Sequence, residues 1–102
     1  MNYEEMSDDE INYEVAKHSF DAEWLERNYG KEGMIPDYCG NWGDAGPVIF
    51  EHGISLCKPN SYRDEWSCLR RDSIGFVSNI VYHERPLRAA MIVYLKMENA
   101  KK

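Results

Sequence analysis

Residues 86–98 constrain the fold of this 102-residue chain more than any other segment. Pro86 stands at the favoured first position of a helix. At about 100° per residue, Leu87, Ala90, Met91, Tyr94 and Leu95 gather on one side, and Val93 and Met97 flank them. Only the strip of Arg88, Ala89 and Lys96 is left for water. A helix apolar on nearly every side must be enclosed by protein, so the rest of the chain is expected to fold around it. The expectation is a single domain, residues 1–102, with a frayed tail at 97–102. A membrane span is excluded, because the longest uncharged apolar run, residues 89–95, is far short of about 20 residues. Disorder is excluded too, since 43% of residues are hydrophobic and 13% aromatic.

The start of the chain carries a second strong signal. Ser7 and Glu10 form an S-x-x-E capping box, Met6 and Ile11 the hydrophobic staple, and Asp8, Asp9 and Glu10 favour the positive end of a helix dipole. A helix over about residues 8–18 follows. Residues 20–30 read as a short helix ending at Gly30, although their aromatic content suits a strand equally well, and 30–37 read as a loop. Asn41 can cap a third helix with Asp44 in its first turn; Pro47 falls inside it and is expected to kink or restart it. Gly53 closes that helix. Short strands are expected at 54–57, 65–69 and 74–82, with Arg70-Arg71-Asp72 as a turn between the last two. The fold class is therefore α+β: a small antiparallel sheet of two to four short strands packed against two or three helices, the C-terminal helix central.

Charge is unevenly spread. The net charge is −6, but residues 1–37 hold eleven acids and three bases, a net of −8, and the remainder is +2. Such an acidic first third speaks against phosphate-driven nucleic-acid binding. It serves solubility, or else forms a face that docks on a basic protein surface. The three cysteines, Cys39, Cys57 and Cys68, are odd in number, lack a C-x-x-C pair and follow no apolar leader. They read as reduced thiols of an intracellular protein. With His18, His52 and His83 they show no ligand spacing, so no metal and no cofactor are expected.

The best candidate site is the stretch 37–47, where Tyr38, Asn41, Trp42 and Asp44 stand among glycines, the composition of a binding loop on a rigid scaffold. The competing reading is that Asn41 and Asp44 cap a helix while Trp42 packs inward. Cys39 beside a histidine would make a nucleophile pair, against a buried structural thiol. Arg70, Arg71, Arg85 and Arg88 would grip phosphate, or form a solvated face. Arg88 needs a carboxylate or several carbonyls if the last helix is buried; Asp44 and Glu51 are the partners considered, and exposure in a partner-binding patch is the alternative.

Three blocks resemble the NinX-like family of small accessory proteins of lambdoid phages and prophages. The first is Met1-Asn2-Tyr3-Glu4-Glu5-Met6-Ser7-Asp8-Asp9-Glu10-Ile11-Asn12. The second is Tyr38-Cys39-Gly40-Asn41-Trp42-Gly43-Asp44-Ala45-Gly46-Pro47-Val48-Ile49, continuing into Glu51-His52-Gly53-Ile54-Ser55-Leu56. The third is Arg85-Pro86-Leu87-Arg88-Ala89-Ala90-Met91-Ile92-Val93-Tyr94-Leu95. They cover roughly half the chain. Arg85 departs from the pattern, which leads one to expect a capping Asn there, and Gly40 and Gly46 depart from less glycine-rich blocks. The resemblance implies a phage gene expressed in the host bacterial cytoplasm and carries no mechanism.

The functional expectation is a non-enzymatic binding module, monomer or homodimer, acting on a host or competing-phage protein, for instance in a defence system. Its expected contacts are Tyr38, Asn41, Trp42, Asp44 and Arg88. The alternatives are a small ligand-binding protein or enzyme with a pocket near Cys39 and Asn41, or a weak nucleic-acid-associated protein.

Overall fold

A capping box opens the fold as the sequence requires. In the computed structural model, which describes residues 2–29, 31, 34–59, 64–71 and 77–100, the Glu10 amide donates to Ser7 Oγ and the Ser7 amide donates to Glu10 Oε1, each at 3.2 Å. This starts helix α1, Asp8–Ala16, after a 3-10 turn at Tyr3–Glu5. Asp21 caps α2, Ala22–Asn28, accepting from the Trp24 amide at 3.4 Å, so residues 22–28 are helix rather than strand; Gly30 lies outside the described residues. Asn41 caps α3, Trp42–Glu51, through its side chain on the Gly43 amide at 2.7 Å.

Pro47 lies inside α3 and does not restart it, since Trp42–Glu51 is one continuous helix. Two glycines explain its tolerance. Gly46 has no Cβ to clash with the proline ring, the contact that bars the residue before proline from helical geometry. The carbonyl that Pro47 cannot serve belongs to Gly43, which is exposed, so water can satisfy it. The helix then ends at Gly53, whose φ of 65° is the left-handed conformation that glycine adopts without strain.

Three strands follow as an antiparallel meander in the order β1-β2-β3: β1 Ile54–Cys57, β2 Trp66–Arg71 and β3 Val77–His83. Leu56 faces Cys68 and Cys68 faces Val81, with a register shift between Cys68 and Arg70. Arg70 and Arg71 are not a turn. They pair with Ser78 and Val77, and so extend β2 by two residues; Asp72, Ile74 and Phe76 lie outside the described residues.

Helix α4, Pro86–Ala100, fills the centre, touching all three strands and both α1 and α3. Its enclosure is more complete than the helical wheel implies. Every residue from 87 to 95 is at most 7% exposed, including Ala89 at 0% and Arg88 at 7%. The expected watery strip is therefore wrong for Arg88 and Ala89: the sheet covers one side, while α1, α3 and the N-terminal segment cover the rest. Lys96 alone of that strip stays partly exposed, with Glu4 at 3.6 Å. Met97, within the tail expected to fray, is core at 3% exposed, and α4 continues to Ala100. The chain is thus α+β with the C-terminal helix packed on a three-stranded sheet and, among the described residues, four α-helices. None of these is long and apolar enough to cross a membrane.

Two variants test this packing in urea denaturation. Ala89→Lys leaves the folded state by far the less populated one, because an ammonium has neither room nor partner there, whereas Lys96→Ala shifts stability by about 0.5 kcal/mol or less. Pro47→Ala is expected to stabilise the chain by about 1–3 kcal/mol, since it restores a helix hydrogen bond at an exposed position.

Candidate functional site

Asp8 is the first residue of α1, and its carboxylate receives two guanidinium groups from the far end of the chain. Arg85 Nη1 donates to Oδ2 and Arg88 Nη1 to Oδ1, each at 2.6 Å. Burial pushes the Asp8 carboxyl up, but the hydrogen bonds from Arg85 and Arg88 outweigh it and hold the group below its ordinary value. Arg88 Nη2 also donates to the backbone carbonyls of Tyr3 and Glu4, each at 3.4 Å, and to that of Met6. Arg88 thus meets the requirement of a buried guanidinium with a carboxylate and three carbonyls together. Its partner is Asp8, not Asp44 or Glu51. It is no surface contact, because the N-terminal turn lies over it.

Arg85 extends this network to the 37–41 loop: its Nη2 donates to the Cys39 carbonyl at 3.2 Å. The hydrogen bond with Asp8 holds the Arg85 guanidinium above its ordinary value. Where a capping Asn would stand, the Arg85 amide instead donates to His83 Nδ1 at 3.0 Å. Asn12, 6% exposed, grips the same loop from α1. Its Oδ1 accepts from the Cys39 amide at 3.0 Å and its Nδ2 donates to Asp37 Oδ1 at 3.1 Å. The Asp37 amide donates to Asp44 Oδ2 at 3.0 Å. A Cβ at Gly40 would lie 2.5 Å from Asp37 Oδ2, so glycine permits this close turn.

The loop is therefore fixed from three sides, and it aims its residues in two directions. Tyr38 and Cys39 point inward, 5% and 2% exposed. Tyr38 therefore offers almost no surface to a partner, and burial, then the charge of Asp44, raises its phenol. Burial pushes the Cys39 thiol up to about 12, so it is protonated at neutral pH and is no activated nucleophile. Asn41 and Trp42 face outward. Trp42 is 58% exposed, which overturns its inward packing, and Asp44 is half-buried.

Along α3, Ala45 is buried and Val48 and Ile49 are half-buried against the core. That phase leaves Phe50 outside, 90% exposed, although it continues the apolar run of Val48 and Ile49. The 3.6-residue spacing of positions 45, 48 and 49 is the signal that finds it. Trp42, Gly43, Gly46, Pro47 and Phe50 share an arc of about 140° without one charged residue. The acids Asp44 and Glu51 lie beside that arc. Arg70 sits on β2, whereas Arg85 and Arg88 are both bound to Asp8, so these two guanidinium groups are committed to a carboxylate and are not left open for phosphate. Among the described residues, no three or more His, Cys, Asp or Glu side chains are grouped to hold a metal ion.

A family model described as "Bacteriophage P22, NinX" matches residues 2–98. No curated protein and no solved structure matches the chain.

The Asp8 network predicts a specific acid response. Because the folded-state value of Asp8 lies below its unfolded value, its stabilisation is fully present above about pH 5 and lost as pH falls through the depressed value. Asp8→Asn is expected to cost about 2–3 kcal/mol at pH 7, less than a fully buried pair, since Asp8 keeps contact with water. The same variant flattens the acid limb of the stability profile. Denaturant titrations between about pH 2 and 7 measure both effects.

Proposed function

The chain belongs to the bacteriophage P22 NinX family, and from that premise we propose that it is a phage accessory protein that works by binding another protein in the host cell, without catalysis. The observation that carries this reading is the outer face of α3. Trp42 and Phe50 stand 58% and 90% exposed on a helix whose start is pinned by the Asn12, Asp44 and Arg85 contacts. Tryptophan held out in water on a rigid support is the usual anchor of a protein interface. Ordering cost on binding is small when the loop is already fixed.

Charge selects the partner's chemistry. Asp44 and Glu51 border the apolar arc, Asp37 is exposed on the adjoining loop, and the protein carries a net charge of −6. A host or competing-phage protein with an apolar site in a basic surface fits this arrangement; a component of a host defence system is one such partner. The buried, protonated Cys39 argues against the enzymatic alternative at that position.

A host-lysate pull-down tests the reading. The wild-type bait is expected to retain a basic protein, and Trp42→Ala to weaken retention about 30-fold or more with its thermal unfolding unchanged. Equal retention by Trp42→Ala and Phe50→Ala, or no retained protein, overturns it.

A further inference from the structure

We propose that a hollow between α1 and the end of α2 receives one organic cation, the guanidinium or ammonium end of an arginine- or lysine-like group. The hollow measures about 300 Å³ and is lined by Met6, Glu10, Tyr13, Glu14 and Tyr29. Its origin is helical phase. Glu10, Tyr13 and Glu14 share the face of α1 that turns away from the buried Ile11 and Val15. Tyr29, next after α2, meets the Tyr13 ring edge-on, with centroids 4.6 Å apart and planes at 60°.

Ring faces beside carboxylates are the chemistry that holds a cation: the π cloud attracts the charge, and the carboxylate accepts its N–H groups. The protein already contains a small instance of it. Lys17 Nζ lies 2.5 Å from Glu14 Oε2 and 5.2 Å from the centre of the Tyr13 ring. Its hydrogen bond to Glu14 raises the ammonium above its ordinary value. Lys17 engages Glu14 and Tyr13, while Glu10 and Tyr29 form the remaining wall. Glu10 is held in place by the Ser7 amide on its Oε1. Lys17 is therefore both a model for the incoming cation and its competitor. The surrounding field favours entry, since Asp9, Glu23 and Glu26 on α1 and α2 add to these two glutamates, against Arg27 within the two helices and Lys17 just after α1; Asp8 adds nothing, being neutralised by Arg85 and Arg88.

This site does not rest on the α3 reading, and its test uses small probes, so either can fail alone. N-acetylarginine methylamide is titrated into the protein, and the ring signals of Tyr13 and Tyr29 are followed by NMR, with N-acetylleucine methylamide as the neutral control. Both rings are expected to shift saturably with the arginine probe only. Glu10→Gln keeps the capping box, because glutamine serves at that position, and weakens the probe about two- to fivefold. Lys17→Met tightens it by a similar factor. Agmatine and a Gly-Arg-Gly peptide carry the same end group; either order of affinity upholds the site, and the order says whether a free amine or a protein side chain is its ligand. Equal response to the neutral control, or titrations of Glu10→Gln and Lys17→Met that match the wild type, overturns the proposal.

Discussion

The structure depends on one carboxylate shared by two guanidinium groups. Asp8 joins the first turn of α1 to the first turn of α4, 80 residues further on in the case of Arg88. Without this pairing, Arg88 would be a mostly buried cation with backbone carbonyls as its partners and no counter-charge, and the central placement of α4 would be less stable. With it, the guanidinium also gathers the carbonyls of Tyr3, Glu4 and Met6, so the N-terminal turn becomes a cover over the central helix. Part of the acidic character at the start of the chain is thus structural: Asp8 and Glu10 are committed to the ion-pair network and the capping box, whereas Glu5, Asp9, Glu23 and Glu26 face water.

The same network positions the outer surface. Arg85 spans Asp8 and the Cys39 carbonyl, and Asn12 holds that loop from α1, so the start of α3 is fixed by contacts within the chain. Tyr38 and Cys39 fill the interior beneath it, and Trp42 and Phe50 are left in solvent. A proline and two glycines in α3 weaken the helix and expose its backbone, yet they keep its outer face narrow and uncharged. Such a face is a poor choice for stability alone and a good one for close approach of another protein.

Local chemistry was legible in the sequence wherever adjacent residues satisfy one another. The Ser7–Glu10 box, the Asn41 cap, the Gly53 terminus, strand β1 and the start of α4 at Pro86 each rest on a few consecutive positions, and each stands in the structure. Asn41, Trp42 and Asp44 were legible as a cluster, but whether Trp42 packs inward or faces water was left open by the sequence. Tyr38 and Arg88, expected contacts from their residue types, are buried in the structure, because residue type does not reveal which side of a loop or helix the fold will cover. Arg88 was rightly seen to need a carboxylate, but nothing near it in sequence distinguishes Asp8 from Asp44 or Glu51.

The amino-acid order by itself determined the α+β class, the capped helices and a last helix too apolar to stand in water, since these follow from periodicity and backbone hydrogen bonding within a few turns. Tertiary structure alone decided that Asp8 pairs with Arg85 and Arg88, that Ala89 is buried, and that Trp42 and Phe50 are not. Those outcomes depend on which surfaces meet across 40 to 80 residues of chain, where electrostatic and packing energies are set by distance in space and leave no local trace in the sequence.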